Sequence, residues 1–119
     1  MGILDNKVVF ITGGGSGIGL ATAELLHQEG AIVHSVDQNR VDTEALPASL
    51  RSPRFFTHQA DVTLRDQLDA VVSEITRDGS ALDVVICNAG ISGAVTEVAN
   101  YPAEVFARVL EVHVMGTFN

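Results

Sequence analysis

The sequence predicts an α/β fold in which helices cover both faces of a parallel sheet, a doubly wound arrangement. Short apolar runs alternate with segments of helical periodicity along the chain. The clearest runs are rich in β-branched residues and apolar at consecutive positions, which is typical of strands buried on both faces. Alternation at this spacing favours right-handed crossovers, and four strands should then lie in the order 3-2-1-4. The remainder of a complete doubly wound fold is expected to be absent from this chain.

Length and composition indicate one folded domain that occupies residues 1–119. The pattern of four strands indicates that this domain is only part of a complete doubly wound fold. Of the 119 residues 46% are hydrophobic and 18% are charged, which is typical of a globular chain. The net charge of −8 argues against nucleic acid and anionic membranes as partners. A single cysteine allows no internal disulfide, and neither a signal peptide nor a membrane-spanning run is visible, so we expect a cytoplasmic protein.

The first strand is predicted at residues 8–11, directly before a run of glycines. Apolar side chains then recur at helical spacing from Ile18 onward, and Gly30 stands where a helix C-terminal cap belongs. A second strand is expected at residues 31–36, ending at Asp37. The first third of the chain therefore predicts a strand, a helix and a parallel strand.

The middle of the chain predicts a weak helix, a strand and a strong helix. A short helix is expected at residues 43–50, disturbed by Pro47, followed by a strand at residues 54–59. Thr63 and Asp66 have the spacing of a capping box, in which a hydroxyl and a carboxylate satisfy backbone N–H groups at a helix start. Behind them a helical apolar stripe contains Leu64, Leu68, Val71, Val72 and Ile75.

The last third predicts a fourth strand and a helix with two apolar stripes. Gly79 ends the preceding helix, residues 82–87 form the strand, and the last helix begins near Pro102 as its first helical residue. One stripe contains Val105, Val109, Val112 and Gly116, and the other contains Phe106, Leu110, His113 and Thr117. One stripe should cover the sheet, and the other should contact either missing chain or a partner subunit. We therefore expect a homo-oligomer, a dimer or a tetramer, formed through this helix.

The glycine-rich connection after the first strand is a candidate phosphate site. Its predicted contacts are Gly13, Ser16, Gly17, Ile18 and Gly19. Glycine permits positive φ and close approach of a ligand to the backbone, and a helix N-terminus supplies unpaired N–H groups. A glycine-rich turn without a ligand is the alternative, although five glycines among residues 13–19 are entropically costly for a turn alone.

Two carboxylates follow the second and third strands. Asp37 lies 18 residues beyond Gly19, near the separation at which an acidic residue accepts hydrogen bonds from the hydroxyls of a bound ribose. Asp61 ends the third strand at the same edge of the sheet, where it could accept from an adenine amino group. A favourable charge at a helix N-terminus is an equally good explanation of Asp61.

The spacing within the loop separates classes of nucleotide site. Thr12, Gly13, Gly17 and Gly19 fit T-G-x-x-x-G-x-G, whereas G-x-G-x-x-G read from Gly13 would place Ile18 at its last position. No G-K-[ST] sequence is present, so an NTPase phosphate loop is excluded.

These motifs resemble those of the short-chain dehydrogenases/reductases over nearly the whole chain. The glycine spacing is similar to their cofactor motif, Asp61 and Val62 to their adenine-contacting pair, and Cys87-Asn88-Ala89-Gly90 to their N-N-A-G sequence with the first Asn replaced. Asp37 matches the acidic residue of members that prefer NAD. The resemblance implies NAD as cofactor and hydride transfer between nicotinamide and a small-molecule alcohol or ketone.

The catalytic residues that the resemblance implies are largely missing. The family uses a Ser and a Tyr-x-x-x-Lys pair, but here the only tyrosine is Tyr101, the residue four positions later is Val105, and the only lysine is Lys7. His113 stands where the family has a catalytic Asn in an N-x-x-G-x-F context, and an imidazole could hold a proton-relay water. A histidine on a helix interface without a catalytic role is the alternative.

Two other functions remain open at this stage. The loop also satisfies G-x-G-x-G, which would suit an S-adenosylmethionine methyltransferase, although that class usually places an acidic residue just before the loop. A non-catalytic nucleotide-binding or scaffolding protein would keep the fold without the chemistry. No metal site is predicted, since His27, His34 and His58 show no ligand spacing, and Cys87 is expected to be a small residue of a buried strand.

Overall fold

The computed structural model describes residues 2–119 and contains one parallel four-stranded sheet. The strands are β1 (Val8–Thr12), β2 (Ile32–Asp37), β3 (Phe55–Gln59) and β4 (Val84–Ile86). Their order is β3-β2-β1-β4, and each neighbouring pair is parallel. The predicted α/β class and strand order are confirmed.

Three helical segments accompany the sheet. They are α1 (Gly17–Gln28), α2 (Arg65–Ile75) and a last helix at residues 103–118, which consists of α3 (Ala103–Leu110), a π-helical turn (Glu111–Met115) and the short α4 (Gly116–Phe118). The last helix begins one residue later than predicted, because Pro102 has an extended ψ of 124° and precedes the first helical residue. No helix within residues 2–119 combines the length and the apolar character needed to cross a membrane.

The core lies in two layers, one on each face of the sheet. The α2 and last-helix face buries Val8, Phe10, Val36, Ala60, Val62, Leu68, Val71, Ile75 and Val112. The α1 face buries Val9, Ile11, Ala23, Ala31, Val33, Leu46, Leu50 and Phe55. Alternate residues of β1 thus belong to opposite layers, which explains why the whole strand is apolar.

The helix predicted at residues 43–50 is wrong. The segment instead forms two 3₁₀ turns, Thr43–Ala45 and Ala48–Leu50. Leu46 between them is extended, with φ −67° and ψ 151°. The proline ring of Pro47 disfavours helical backbone at the preceding residue, so a continuous helix cannot form.

The capping box predicted at Thr63 and Asp66 is also wrong. The Thr63 hydroxyl donates to Asp61 Oδ1 at 2.7 Å, and the Thr63 N–H donates to the same oxygen at 2.9 Å. α2 begins after Leu64 without a side-chain cap, and Leu64 is exposed rather than part of the buried stripe. A charged acceptor two residues earlier thus engages the hydroxyl that was expected to cap the helix.

The β4 edge of the sheet is open within residues 2–119. β4 pairs with β1 alone and is shorter than predicted, and Val85 on it is exposed. Cys87, expected in a buried strand, lies just beyond β4 and is exposed. The expectation of burial was wrong because no described strand covers this side.

The two stripes of the last helix have different surroundings. On one, Val112 and Gly116 are buried, and Val112 packs with Val62 and α2 in the core. On the other, Phe106 and Leu110 are 58% and 45% exposed. The predicted packing of one stripe on the sheet is confirmed, and the second faces away from the described chain.

Candidate functional site

A cleft of about 290 Å³ opens where the chain leaves the carboxyl ends of the strands. It lies at the edge where parallel α/β sheets bind ligands. The predicted site residues that line it are Gly13, Ser16, Ile18, Gly19, Asp37, Val62, Asn88, Ala89 and Gly90. Gly17 and Asp61 lie outside this lining. The structure therefore brings together most of the predicted cofactor contacts from four separate parts of the chain.

The glycine loop joins β1 to α1 and exposes the start of the helix. The N–H groups of Gly13 and Gly14 both donate to the Val36 carbonyl, which fixes the loop against β2. The first N–H that bonds back along the helix is that of Leu20, to Ser16 O at 3.1 Å. The N–H groups of the first helical residues remain available, and they carry the positive end of the helix dipole. This end of the cleft is suited to an anion.

Gly19 is required by a close approach of backbone to backbone. A Cβ at this position would collide with the Gly13 carbonyl oxygen and lie 2.5 Å from Asn88 Nδ2. Asn88 Nδ2 in turn donates to Gly13 O at 3.1 Å. Thr12 Oγ1 accepts from the N–H groups of Asn88 and Ala89, each at 3.1 Å. These hydrogen bonds therefore join the segment after β4, at Asn88 and Ala89, to the end of β1 and the start of the glycine loop.

Asp37 is held in place by two backbone donors. Its Oδ2 accepts the N–H of Gly15 at 3.1 Å, and its Oδ1 accepts the N–H of Asn39 at 3.0 Å. Each carboxylate oxygen has a second acceptor position. The carboxylate therefore lines the cleft in a fixed orientation and can still accept from hydroxyl groups of a ligand.

Asp61 lies in a groove beside the main cleft. This groove also contains Gln38, Asn39 and Ala60, which belong to both spaces. Burial acts to raise the pKa of Asp61, but hydrogen bonds from Thr63 and the nearby charge of Arg108 together hold that pKa below its ordinary value. Asp61 is therefore an anion at neutral pH, and Val62 next to it lines the main cleft.

His113 lies on the π-helical turn and contacts the loop that follows β4. Its Nε2 atom is 2.9 Å from Ile91 O and 3.0 Å from Ile91 N, so it donates to the carbonyl or accepts from the N–H according to its tautomer. A Cβ on Gly90 would lie 2.6 Å from His113 Cε1. The imidazole thus packs behind the wall formed by Gly90 and Ile91 and is not itself part of the cleft lining.

Two histidines outside the cleft form a pair that the sequence did not predict. His34 Nδ1 and His58 Nε2 are 3.0 Å apart on neighbouring strands, and His34 stacks on Phe56. Burial and the proximity of His58 lower the pKa of His34 to about 4, against weaker opposing effects of Glu74 and Asp78. Burial likewise lowers the pKa of His58. Within residues 2–119 no group of three or more His, Cys, Asp or Glu side chains is placed to hold a metal ion.

Comparison with protein families identifies the group to which this cleft belongs. The family described as short chain dehydrogenase matches residues 7–119. The chain belongs to that family. Both the glycine loop and the Asn88 segment that is fastened to it lie within the matched range.

Known members of the short-chain dehydrogenase family support the same fold and site. The uncharacterized oxidoreductase YxbG of Bacillus subtilis is 33% identical over 99% of this chain and 44% of its own length. The NAD-dependent glycerol dehydrogenase of Listeria innocua is 30% identical over 97% of this chain and 44% of its own. A 3-ketoacyl-(acyl-carrier-protein) reductase from Brucella melitensis, solved with NADH, superimposes with a TM-score of 0.87 at 29% identity, covering 97% of this chain and 47% of that one. The chain therefore spans about half the length of these relatives.

Several residues of this short-chain dehydrogenase cleft were not predicted from the sequence. Gln38 and Asn39 line it directly after Asp37, and Ile91 directly after Gly90. The sequence could have indicated these three residues, because each lies next to a residue that was predicted to line the site. Val112 reaches the cleft from the last helix, and its place on the buried stripe gave no indication of this.

Proposed function

We propose that this chain binds NAD(H) and forms the cofactor-binding part of an oxidoreductase that acts on a small-molecule alcohol or ketone. The observation that carries the proposal is the Asp37 carboxylate, held by the Gly15 N–H beside the free N–H groups that begin α1. This arrangement places an acceptor for ribose hydroxyls next to donors for a pyrophosphate. The NAD dependence of the Listeria innocua relative and the NADH in the Brucella melitensis structure support it.

The described residues fit a dinucleotide in three places. The N–H groups of Gly17, Ile18 and Gly19 would donate to the pyrophosphate oxygens, and within residues 2–119 no atom beyond the neighbouring backbone lies within 4 Å of a Cβ built on Gly17. Ile18 is 80% exposed at this point, and cofactor binding would remove part of its apolar surface from water. Asp37 would accept from the adenosine ribose. Asp61 and the Val62 N–H would contact the adenine, and Asn88, Ala89 and Gly90 would form the wall on the β4 side.

Bound nicotinamide would give a hydride to a ketone or take one from an alcohol, and the protein must supply or accept the accompanying proton. The hydroxyl of the only tyrosine, Tyr101, accepts the Ala94 N–H at 2.9 Å and so braces the loop before the last helix. No Tyr-x-x-x-Lys sequence occurs among the 119 residues. In this proposal His113 fixes Ile91 of the cleft wall through Nε2. The rest of the proton-transfer machinery would be supplied outside these residues.

Ligand-dependent thermal stability tests this proposal against its two alternatives. NAD⁺ at a hundredfold excess over its Kd should stabilise the folded chain by about 2.7 kcal/mol and raise its Tm, whereas S-adenosylmethionine should not. Stabilisation by S-adenosylmethionine alone would instead support a methyltransferase. NAD⁺ binding without oxidoreductase activity in the intact protein would support a nucleotide-binding or scaffolding role.

We also propose that a second copy of the chain covers the exposed stripe of the last helix. Phe106 and Leu110 of this stripe are exposed, and so are Val114 and Phe118 beside it, which continue the spacing of four residues. An exposed apolar face of this kind is typical of a subunit interface. A dimer or a tetramer formed through this helix would bury it.

A further inference from the structure

The last helix is attached at two points to the turn between β3 and α2. Arg108 Nη2 lies 3.6 Å from Asp61 Oδ2, and Arg108 Nη1 lies 3.5 Å from Thr63 Oγ1. At the other end of the helix, Asn119 Nδ2 donates to Val62 O at 3.0 Å. The turn at residues 61–63 and the helix that carries His113 are therefore joined through side chains.

The contacts of Asp61 leave little freedom for its carboxylate. Oδ1 accepts both the N–H and the hydroxyl of Thr63, which uses its two acceptor positions. Oδ2 faces the Arg108 guanidinium, so one acceptor position on this oxygen remains. The groove that Asp61 shares with Gln38 and Asn39 is the space open to it.

The stability of the fold gives no strong reason for Arg108 to be here. Its side chain is 40% exposed, and it also lies 3.6 Å from Glu111 on the next turn of the same helix. Exposed ion pairs at such distances contribute about 0–1 kcal/mol to folding. The contact should therefore matter more for the orientation of Asp61 than for the free energy of unfolding.

We propose that Arg108 is a positioning residue for adenine recognition, which holds the Asp61 carboxylate so that its remaining acceptor position faces the amino group of the adenine. The inference rests on the proposed NAD(H) site and assigns a role to a residue of the last helix. It also implies that the adenine wall and the helix bearing His113 move as one unit.

Two dinucleotides that differ at one group test this role. Nicotinamide hypoxanthine dinucleotide carries an oxo group in place of the adenine amino group, so this position of the base offers Asp61 no donor. Isothermal titration of the 119-residue chain should show NAD⁺ binding about fivefold or more tightly than this analogue. In Arg108→Gln the ratio of the two affinities should fall toward one, because the variant binds NAD⁺ more weakly but binds the analogue as the wild type does. Arg108→Lys should recover part of the ratio, since it keeps the charge without the planar fork.

The matched control is Arg77→Gln. Arg77 pairs with Glu74 on the surface of α2, and its side chain is 75% exposed. This variant should bind both dinucleotides as the wild type does. An unchanged ratio in folded Arg108→Gln, or an equal loss for both dinucleotides, would overturn the positioning role.

A double-mutant cycle with Asp61 gives a second test of the inference. Asp61→Asn removes the group that Arg108 orients, so adding Arg108→Gln should weaken NAD⁺ binding by less than about twofold further. If the loss of NAD⁺ affinity in the double variant equals the product of the losses in the two single variants, the inference is overturned. Failure of the wild-type chain to bind either dinucleotide would instead contradict the proposed function itself, so the two failures are distinguishable.

Discussion

The carboxylate of Asp37 accepts the N–H of Gly15 at 3.1 Å, which joins the end of β2 directly to the glycine loop. A Cβ on Gly15 would lie 2.8 Å from the same oxygen, so a side chain at Gly15 would displace the carboxylate. The features that would contact the ribose and the pyrophosphate are therefore one structural unit, fixed before any ligand binds. Preorganisation of this kind lowers the entropic cost of binding.

Gly17→Val should weaken NAD⁺ binding by about 10- to 100-fold, because charge-assisted hydrogen bonds to the helix start would be lost. Gly17 has a φ of +55°, which valine adopts only with strain, and a side chain here would point into the space in front of the loop. At Gly19, by contrast, a side chain would collide with the loop itself, since a Cβ would lie 2.5 Å from Asn88 Nδ2. Isothermal titration measures the change.

Gly79→Val is the matched control for backbone strain. Gly79 also has a positive φ, of +88°, and nothing lies within 4 Å of a Cβ built on it. It lies after α2, outside the cleft lining. This variant should lose about 1–3 kcal/mol of stability while its affinity for NAD⁺ stays at the wild-type value. Equal losses of affinity in both variants would mean that the loop is not the phosphate site.

The His34 and His58 pair should make stability depend on pH. The pKa of His34 is about 4 in the folded chain, whereas an exposed histidine, as in the unfolded chain, has an ordinary pKa of 6.5. The unfolded chain therefore binds the proton first, and stability is full above pH 6.5 and decreases as the pH falls toward 4. Urea unfolding across this range should show the decline.

His34→Gln should flatten that decline, because the buried imidazole that resists protonation is gone. His27→Gln is the control, since His27 contacts Phe55 edge-on and lies away from the pair. A decline of the same slope in His34→Gln and in the wild type would show that other groups cause it.

Sequence reasoning predicted those features of the fold that depend on periodicity and glycine spacing. β1 and β2 were recovered nearly to the residue because each is a short run rich in β-branched apolar residues. Most residues of the cleft lining were predicted because the glycine loop, Asp37 and the Asn88 segment each follow a strand. Parallel strands bring such residues to one edge, so their order along the chain predicts their proximity.

The features that were missed depend on contacts between distant residues. His34 and His58 meet because β2 and β3 pair in a register that places Val36 opposite His58 and His34 opposite Phe56. Register of this kind is not visible in one sequence. The role of Thr63 was missed for a local reason. Its hydroxyl donates to Asp61 Oδ1, and residue spacing alone does not show whether such a hydroxyl contacts a neighbouring carboxylate or caps a helix. Compartment and oligomeric state remain predictions.

Phe106→Glu together with Leu110→Glu should shift the chain toward the monomer. A charge on each side chain would oppose burial of the exposed stripe between two copies. Sedimentation velocity measures the distribution of species. Val95→Glu, on a fully exposed position of the preceding loop, is the control and should leave assembly unchanged. A wild-type chain that is monomeric at all concentrations would contradict the proposed interface.

The 119-residue chain should bind NAD⁺ without oxidising alcohols at ordinary enzyme rates. A positioned acid or base typically contributes about 10²–10⁴-fold, and the chain has no Tyr-x-x-x-Lys pair to supply it. A spectrophotometric assay of NADH formation with simple alcohols measures the rate. Turnover that His113→Ala abolishes would contradict this expectation and assign the proton transfer to His113.

The most direct test of the central claim is a titration of the chain with NADH and with NADPH. NADH should bind at least about a hundredfold more tightly than NADPH, since the 2′-phosphate would face the Asp37 carboxylate and a like-charge contact costs several kcal/mol. Asp37→Asn should reduce the difference in affinity between NADH and NADPH. It would weaken NADH binding and remove the repulsion between the carboxylate and the 2′-phosphate of NADPH. Arg40, which lies in a groove shared with Asp37, is the nearest cation in the sequence that could favour NADPH. Tighter binding of NADPH than of NADH by the wild-type chain would contradict the account.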